Sequence, residues 1–301
     1  MVAAPDRYIA HMDCPKCGFD LAADAADCPR CGIVVAKFRQ WHDEAGATAQ
    51  VWHAAPASED SSPVVTLEGR TERMMRAGAM PGACLTAWIA VRTAPGAVRM
   101  LSMWVHESGH AVAAWLCGYS AWPGPWFTPV SMERSPSLTV LLLGLLGAGA
   151  YQAWKRGRWF WVFASAVAMC ATLFCTLVVG PGRAQQIIVF GGDGGCFVLG
   201  TMLMCTVYAR EESPVHREHS RWALLVIGAL AFMDALAVWS GPIDRLPFGE
   251  NENGFSDPSV LTEIYGWSVL TLTARYGQLA RACTAILAGV YLWGLRPVPT
   301  A

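Results

Sequence analysis

Six apolar stretches, 98–118, 137–154, 159–180, 185–209, 222–241 and 278–293, punctuate the last two thirds of the chain. Each approaches or exceeds the roughly 20 residues that carry a helix across about 30 Å of hydrocarbon at about 1.5 Å per residue. The two shortest, 137–154 and 278–293, also suit a re-entrant segment or a helix packed inside a bundle. The pattern therefore predicts five to six spans, in an all-α polytopic membrane helix bundle over residues 81–301. The apolar run 83–91 is too short to cross alone. Residues 39–80, rich in Ala, Ser, Pro, Thr and acids, bury too little to offset ordering entropy and read as a flexible linker, with a weak interfacial-helix signal at 74–80.

Composition agrees with the pattern. Hydrophobic residues make up 54% of the 301 and charged residues only 15%, against about 25% charged in ordinary soluble domains. A formal net charge of −1 gives no case for electrostatic capture of nucleic acid. The loops divide by sign. Lys155, Arg156 and Arg158 follow the second stretch, and Arg210, Arg217 and Arg221 follow the fourth. The segment 242–266 carries Asp244, Glu250, Glu252, Asp257 and Glu263 against Arg245 alone. Basic loops stay inside, so the N-terminus is expected in the cytoplasm, with the chain in the plasma (inner) membrane. Trp122, Trp126, Trp154, Trp159, Trp222, Trp239 and Trp293 fall near the ends of stretches, where amphipathic rings favour the headgroup region.

The N-terminal 38 residues follow another logic. Cys14-Pro15-Lys16-Cys17-Gly18 recurs as Cys28-Pro29-Arg30-Cys31-Gly32. Each knuckle turns backbone N–H groups toward two thiolates, so Cys14, Cys17, Cys28 and Cys31 make a closed four-cysteine site of the structural zinc type. A minimal zinc ribbon over 1–38 follows, its folding dependent on the metal. Two disulfides are the alternative, disfavoured by the glycine knuckles and by the expected lack of a cleavable signal. Reduced thiols again favour the cytoplasmic side. Cys117, Cys170, Cys175, Cys196, Cys205 and Cys283 are scattered through apolar segments and read as small hydrophobes.

The first apolar stretch contains His106-Glu107-Ser108-Gly109-His110, an H-E-x-x-H sequence. On a helix its histidines lie one turn apart on one face, where both imidazoles bind one Zn²⁺ and Glu107 reaches the attacking water. A catalytic zinc needs a third protein ligand. His216 and His219 lie in a short charged loop and read as solvated surface. Asp193, within Phe190-Gly191-Gly192-Asp193-Gly194-Gly195, is the favoured candidate, because glycines permit irregular backbone or close approach of another helix. A helix-breaking turn with a hydrogen-bonded carboxylate is its alternative reading. Asp234 and Asp257 remain open as third ligands.

His106-Glu107-Ser108-Gly109-His110 with its small successors Ala111-Val112-Ala113-Ala114, together with Asp193-Gly194, resembles the site-2-protease family of intramembrane zinc metallopeptidases. The resemblance covers 98 to about 209. It implies hydrolysis of membrane-anchored protein substrates near or within the bilayer, with Glu107 as general base, a catalytic zinc on His106, His110 and Asp193, and a structural zinc in the ribbon. Ser108 replaces the family's usual apolar residue, and the Asn and Pro that often precede its D-G are missing before Asp193. Two stretches separate the motifs, so the Asp193 helix is expected antiparallel to the His106 helix. In this reading the ribbon recruits a cytoplasmic partner or substrate, or gates access. The alternatives are a catalytically inactive membrane adaptor that recruits a partner through the ribbon and, less well supported, a zinc transporter.

Overall fold

The computed structural model describes residues 11–22, 25–38, 67–209, 213–251 and 254–296. The chain divides into two compact units, residues 1–64 and 65–301.

In the first unit β1 (His11–Asp13) pairs antiparallel with β2 (Asp20–Ala22), His11 opposite Ala22. The first knuckle is the turn of this hairpin: Cys14 N–H donates to Phe19 O at 2.8 Å and Gly18 N–H to Cys14 O at 2.9 Å. The second knuckle repeats it, with Cys28 N–H to Ile33 O at 3.0 Å and Gly32 N–H to Cys28 O at 2.8 Å. Gly18 and Gly32 have φ of +66° and +69°, a region where a Cβ is strained, so each knuckle ends in glycine. Among its described residues Cys14, Leu21, Cys28 and Val35 form the buried core, too small to hold a domain alone.

The second unit is helical. Its long helices are α1 (Leu67–Thr93), α2 (Pro95–Leu116), α3 (Pro136–Lys155), α4 (Trp159–Leu177), α5 (Pro181–Cys205), α6 (Ser220–Trp239) and α7 (Val269–Gly294). Helix α1 begins inside the stretch read as linker, so only 39–66 of that stretch remains, outside the described residues. Among the described residues four helices are long and apolar enough to cross a membrane: α3, α4, α5 with its 3-10 extension to Tyr208, and α6. The count of five to six drops to four because α2 carries Arg99, Ser102, His106, Glu107, Ser108 and His110, and α7 carries Arg275, Gln278 and Arg281. Both are long enough but too polar.

The four helices are of two kinds. Of the most apolar window, 11% of residues in α3 and 6% in α4 are buried, against 56% in α5 and 44% in α6. The α3–α4 hairpin thus presents Leu141, Leu145, Phe160, Phe163 and Phe174 outward, a surface suited to lipid. Helices α5 and α6 form the core with α1, α2 and α7.

Glycine sets how closely the core helices pack. A Cβ on Gly109 of α2 would lie 2.1 Å from Gly191 O and 2.7 Å from Gly195 Cα of α5, and one on Gly191 would lie 2.8 Å from Ala113 Cβ. Gly109 meets Gly195 while Ala113 meets Gly191, so α2 and α5 run antiparallel, as the intervening helices α3 and α4 require. The same device joins α5 to α6, where a Cβ on Gly228 would lie 2.6 Å from Gly200 O. Helix α5 is continuous through Gly191–Gly195, so the glycines serve close approach and not a break.

Two sequence features are explained by neighbours. Pro81 lies inside α1 and has no N–H for the carbonyl of Ala77; the Tyr291 hydroxyl of α7 donates to that carbonyl at 3.2 Å. After α2, a short hairpin of β3 (Tyr119–Ala121) and β4 (Val130–Arg134) was not foreseen. It carries Arg134 to the end of α4, where the guanidinium donates to the carbonyls of Cys175, Thr176 and Val179.

Glu72 of α1 accepts from both terminal nitrogens of Arg221, at 3.0 and 3.3 Å, and from Arg76 at 2.9 Å. Burial raises the Glu72 pKa, but the hydrogen bonds and charges of Arg221 and Arg76 outweigh it, leaving it below the ordinary value. A depressed carboxyl stabilises the fold above its unfolded pKa of about 4.3, and the contribution is lost as pH falls through the folded value. The stability difference between wild type and Glu72→Gln, followed by denaturant unfolding in detergent, is therefore expected to be constant near neutrality and to shrink below about pH 4.3; a difference independent of pH would show that the pair contributes nothing. For the glycine contact, Gly109→Ala is expected to destabilise by about 1–3 kcal/mol through overpacking. Gly144→Ala, where a Cβ meets nothing within 4 Å, is the control and is expected to be near neutral. Equal stabilities for the two variants would contradict the packing.

Candidate metal centre

The inner face of α2 is read at helical spacing: Arg99, Ser102, His106, Gly109 and Ala113 recur every three or four residues. Four turns of one helix thus present a guanidinium, a hydroxyl, an imidazole and two small residues to α5 and α6. His110, one turn past His106, lies with its ring centroid 4.8 Å away and nearly perpendicular.

Three donor atoms converge beside these rings. His106 Nε2 and His110 Nε2 are 3.2 Å apart, and each is 3.1 Å from Asp257 Oδ2. Asp257 reaches them from the start of a short helix, Asp257–Ser259, which follows a hairpin of β5 (Glu250–Asn251) and β6 (Gly254–Phe255) and leads into a π-helical turn, Val260–Ile264. Ligand atoms about 2.0–2.1 Å from a tetrahedral zinc stand roughly 3.3–3.4 Å apart, so the spacing fits one face of such a site.

The far nitrogens of the rings decide the protonation. His106 Nδ1 is 2.9 Å from Asp193 Oδ1, and His110 Nδ1 is 2.7 Å from the Ile188 carbonyl. A carboxylate and a carbonyl only accept, so both Nδ1 atoms carry protons, and a neutral ring then has its lone pair on Nε2. Asp257 Oδ2 is buried without a hydrogen-bond partner. Three lone-pair donors facing one another in a buried space repel unless a metal cation or a proton on one ring lies among them. His106, His110 and Asp257 therefore have the chemistry and spacing of a metal site.

Asp193, the favoured third ligand, stands on the opposite edge of the His106 ring. Its Oδ1 faces His106 Nδ1, and its Oδ2 accepts from Trp239 Nε1 at 2.8 Å. It shares with His106 and Cys196 a second group of possible donors, but His110 is not in that group. The glycines act on this geometry directly: a Cβ on Gly192 would lie 2.6 Å from the Nε2 atoms of both histidines. Asp234 is farther back, accepting from Ser102 Oγ at 2.5 Å and Arg99 Nη1 at 3.2 Å. His216 is paired with Arg221 at 3.1 Å, and His219 is exposed.

Glu107, next to His106, is buried, and its Oε2 lies 2.7 Å from Thr128 Oγ1. Thr128 comes from the connection between β3 and β4, so this hairpin reaches back over α2 to hold the carboxylate. Thr128 and Arg99 went unmarked in the sequence. Arg99 had a signal, since it stands three and seven residues before Ser102 and His106 in an apolar stretch; Thr128 had none.

In the ribbon, Cys14 Sγ lies 3.7 Å from Cys31 Sγ, and Cys17 Sγ 3.8 Å from Cys28 Sγ. Disulfide sulfurs are about 2.05 Å apart, whereas thiolates about 2.3 Å from a tetrahedral zinc are roughly 3.8 Å apart. Burial raises the Cys14 thiol, but the N–H groups of Lys16 and Cys17 and the neighbouring thiols outweigh it and bring the pKa to about 6. Burial pushes Cys31 up to about 12. The four cysteines make a possible metal site.

Comparison of the chain with protein-family models, curated proteins and solved structures finds no match. The function rests on the geometry.

All eleven cysteines are free. Titration of the denatured chain without reductant is expected to find eleven thiols, and nine or fewer would contradict the ribbon geometry.

Proposed function

We propose that the chain is an intramembrane zinc metalloendopeptidase of site-2-protease type that hydrolyses membrane-anchored proteins, with His106, His110 and Asp257 holding the catalytic zinc. The observation that carries this reading is the convergence of two imidazole Nε2 atoms and a buried carboxylate oxygen 3.1 Å from each, beside the glutamate of an H-E-x-x-H helix. Asp257 replaces Asp193 as third ligand, because it lies on the Nε2 side of both rings. A zinc ion bound there supplies Lewis acidity to the attacking water and the scissile carbonyl.

The chain's own groups do the rest. Glu107 takes a proton from the attacking water at its carboxylate and delivers it to the leaving amine nitrogen. Thr128 holds one Glu107 oxygen and leaves the other for the proton. The Asp193 and Ile188 contacts fix the two imidazoles as Nδ1–H tautomers. Closely packed α2 and α5 exclude bulk water, so the carboxylate works in a low-dielectric setting.

The setting supports a membrane substrate. Helices α3 to α6 are apolar enough to span, and α2, whose Ser102, His106 and Glu107 are buried, is proposed to lie beside them at membrane depth. The ribbon, with a structural zinc on Cys14, Cys17, Cys28 and Cys31, is proposed to lie on the cytoplasmic side, a reading its free thiols and the basic loops support, and to bind a cytoplasmic protein.

The test compares membrane-protein fragments in cells expressing wild type and Glu107→Gln. Loss of the base is expected to lower cleavage by about 10²–10⁴-fold while the purified variant keeps its zinc. Identical fragment patterns would remove the enzymatic assignment and favour the adaptor that binds partners through the ribbon.

A further inference from the structure

Behind the His106 ring, away from the three converging donors, lies a polar column whose carboxylates are buried and whose Arg99 side chain is 38% exposed. Asp193 Oδ1 contacts His106 Nδ1 at 2.9 Å, and Oδ2 accepts from Trp239 Nε1 at 2.8 Å. Arg99 Nη1 stands 3.9 Å from Asp193 Oδ1 and 3.2 Å from Asp234 Oδ2, so one guanidinium bridges two carboxylates. Ser102 Oγ completes the Asp234 shell at 2.5 Å. Asp193 and Asp234 are each under a tenth exposed. Two buried carboxylates in apolar helices are costly unless paired; here Asp193 faces the His106 imidazole, and Asp234 is held by Arg99 and Ser102.

The column is rigid. The Trp239 ring stacks on Tyr276 at 4.0 Å between centroids, and Tyr276 stacks on Phe190 at 4.1 Å. The Tyr276 hydroxyl donates to the Phe190 carbonyl at 3.2 Å, three residues before Asp193. Helices α5, α6 and α7 are thereby locked around the Asp193 carboxylate, and α2 contributes Arg99 and Ser102 from the same face as His106.

We propose that Asp193 is a positioning residue, held by Trp239 and Arg99 and backed by Asp234, which fixes His106 as the Nδ1–H tautomer and turns its Nε2 toward His110 and Asp257. Metal affinity then depends on Arg99 through Asp193, although neither touches the metal. This rests on the reading of His106, His110 and Asp257 as the metal site.

The test is chelator competition on the full-length, zinc-loaded chain, which is expected to hold two zinc equivalents, the ribbon equivalent serving as an internal control. Asp257→Ala is expected to remove the other equivalent. Asp193→Asn is expected to keep it with 10–100-fold weaker affinity, the usual effect of losing a ligand's outer partner. Trp239→Phe, which keeps the stacking ring and deletes only the N–H, is expected to weaken it about 2–10-fold. Arg99→Gln is expected to weaken zinc several-fold in the wild-type background and less than about twofold in Asp193→Asn, because residues acting through one path do not add. Arg99→Lys is expected to restore part of the loss. Unchanged affinity in both Asp193→Asn and Trp239→Phe, or equal Arg99→Gln effects in the two backgrounds, would overturn the positioning role. Loss of the zinc in Asp193→Asn with retention in Asp257→Ala would make Asp193 the ligand. Retention of both equivalents in Asp257→Ala would overturn the metal-site reading itself.

Discussion

The contact of α2 with α5 at Gly109, Gly191, Gly192 and Gly195 is the constraint on which the rest of the structure depends. It brings two helix backbones so close that a single Cβ would strike a carbonyl or an imidazole. At that separation the Ile188 carbonyl and the Asp193 carboxylate reach the Nδ1 atoms of His110 and His106. Those two bonds leave both Nε2 atoms as acceptors on the other side, where Asp257 meets them. A wider helix pair would lose the bonds, then the tautomers, then the convergence of lone pairs.

Much of this was legible in the chain. The spacing of His106 and His110 placed two imidazoles on one helix face, and the paired knuckles placed four thiols together, because both depend on local geometry alone. The glycines around Asp193 signalled close helix packing for the same reason. The carboxylate that meets the two Nε2 atoms was not legible: Asp257, one of three acids left open, lies nearly half the chain beyond His110 and arrives on a short helix after a loop, so only tertiary structure brings it in. Asp193 shared the apolar, glycine-rich setting expected of a ligand, yet that setting serves equally for a carboxylate behind the ring. The apolar runs also ranked α2 and α7 with the spans, although their polar residues leave both less apolar than α3 to α6.

The arrangement divides labour between two kinds of burial. Helices α3 and α4 turn large apolar side chains outward, whereas α2, α5 and α6 spend their inner faces on glycine, alanine and a few paired charges. The buried carboxylates are tolerable because each is hydrogen-bonded to another element, Asp193 to His106 and Trp239 and Asp234 to Ser102 and the partly exposed Arg99. The same pairing that offsets their desolvation orients them, so stability and site geometry have one origin here.

The metal proposed here lies among His106 Nε2, His110 Nε2 and Asp257 Oδ2. The most direct measurement is an anomalous-scattering map, at the zinc edge, from crystals of the zinc-loaded full-length chain. Two peaks are expected, one among the four ribbon sulfurs and one within bonding distance of those three atoms. A second peak on the Asp193 and Cys196 side of the His106 ring, or no peak at all in the helical unit, would contradict it.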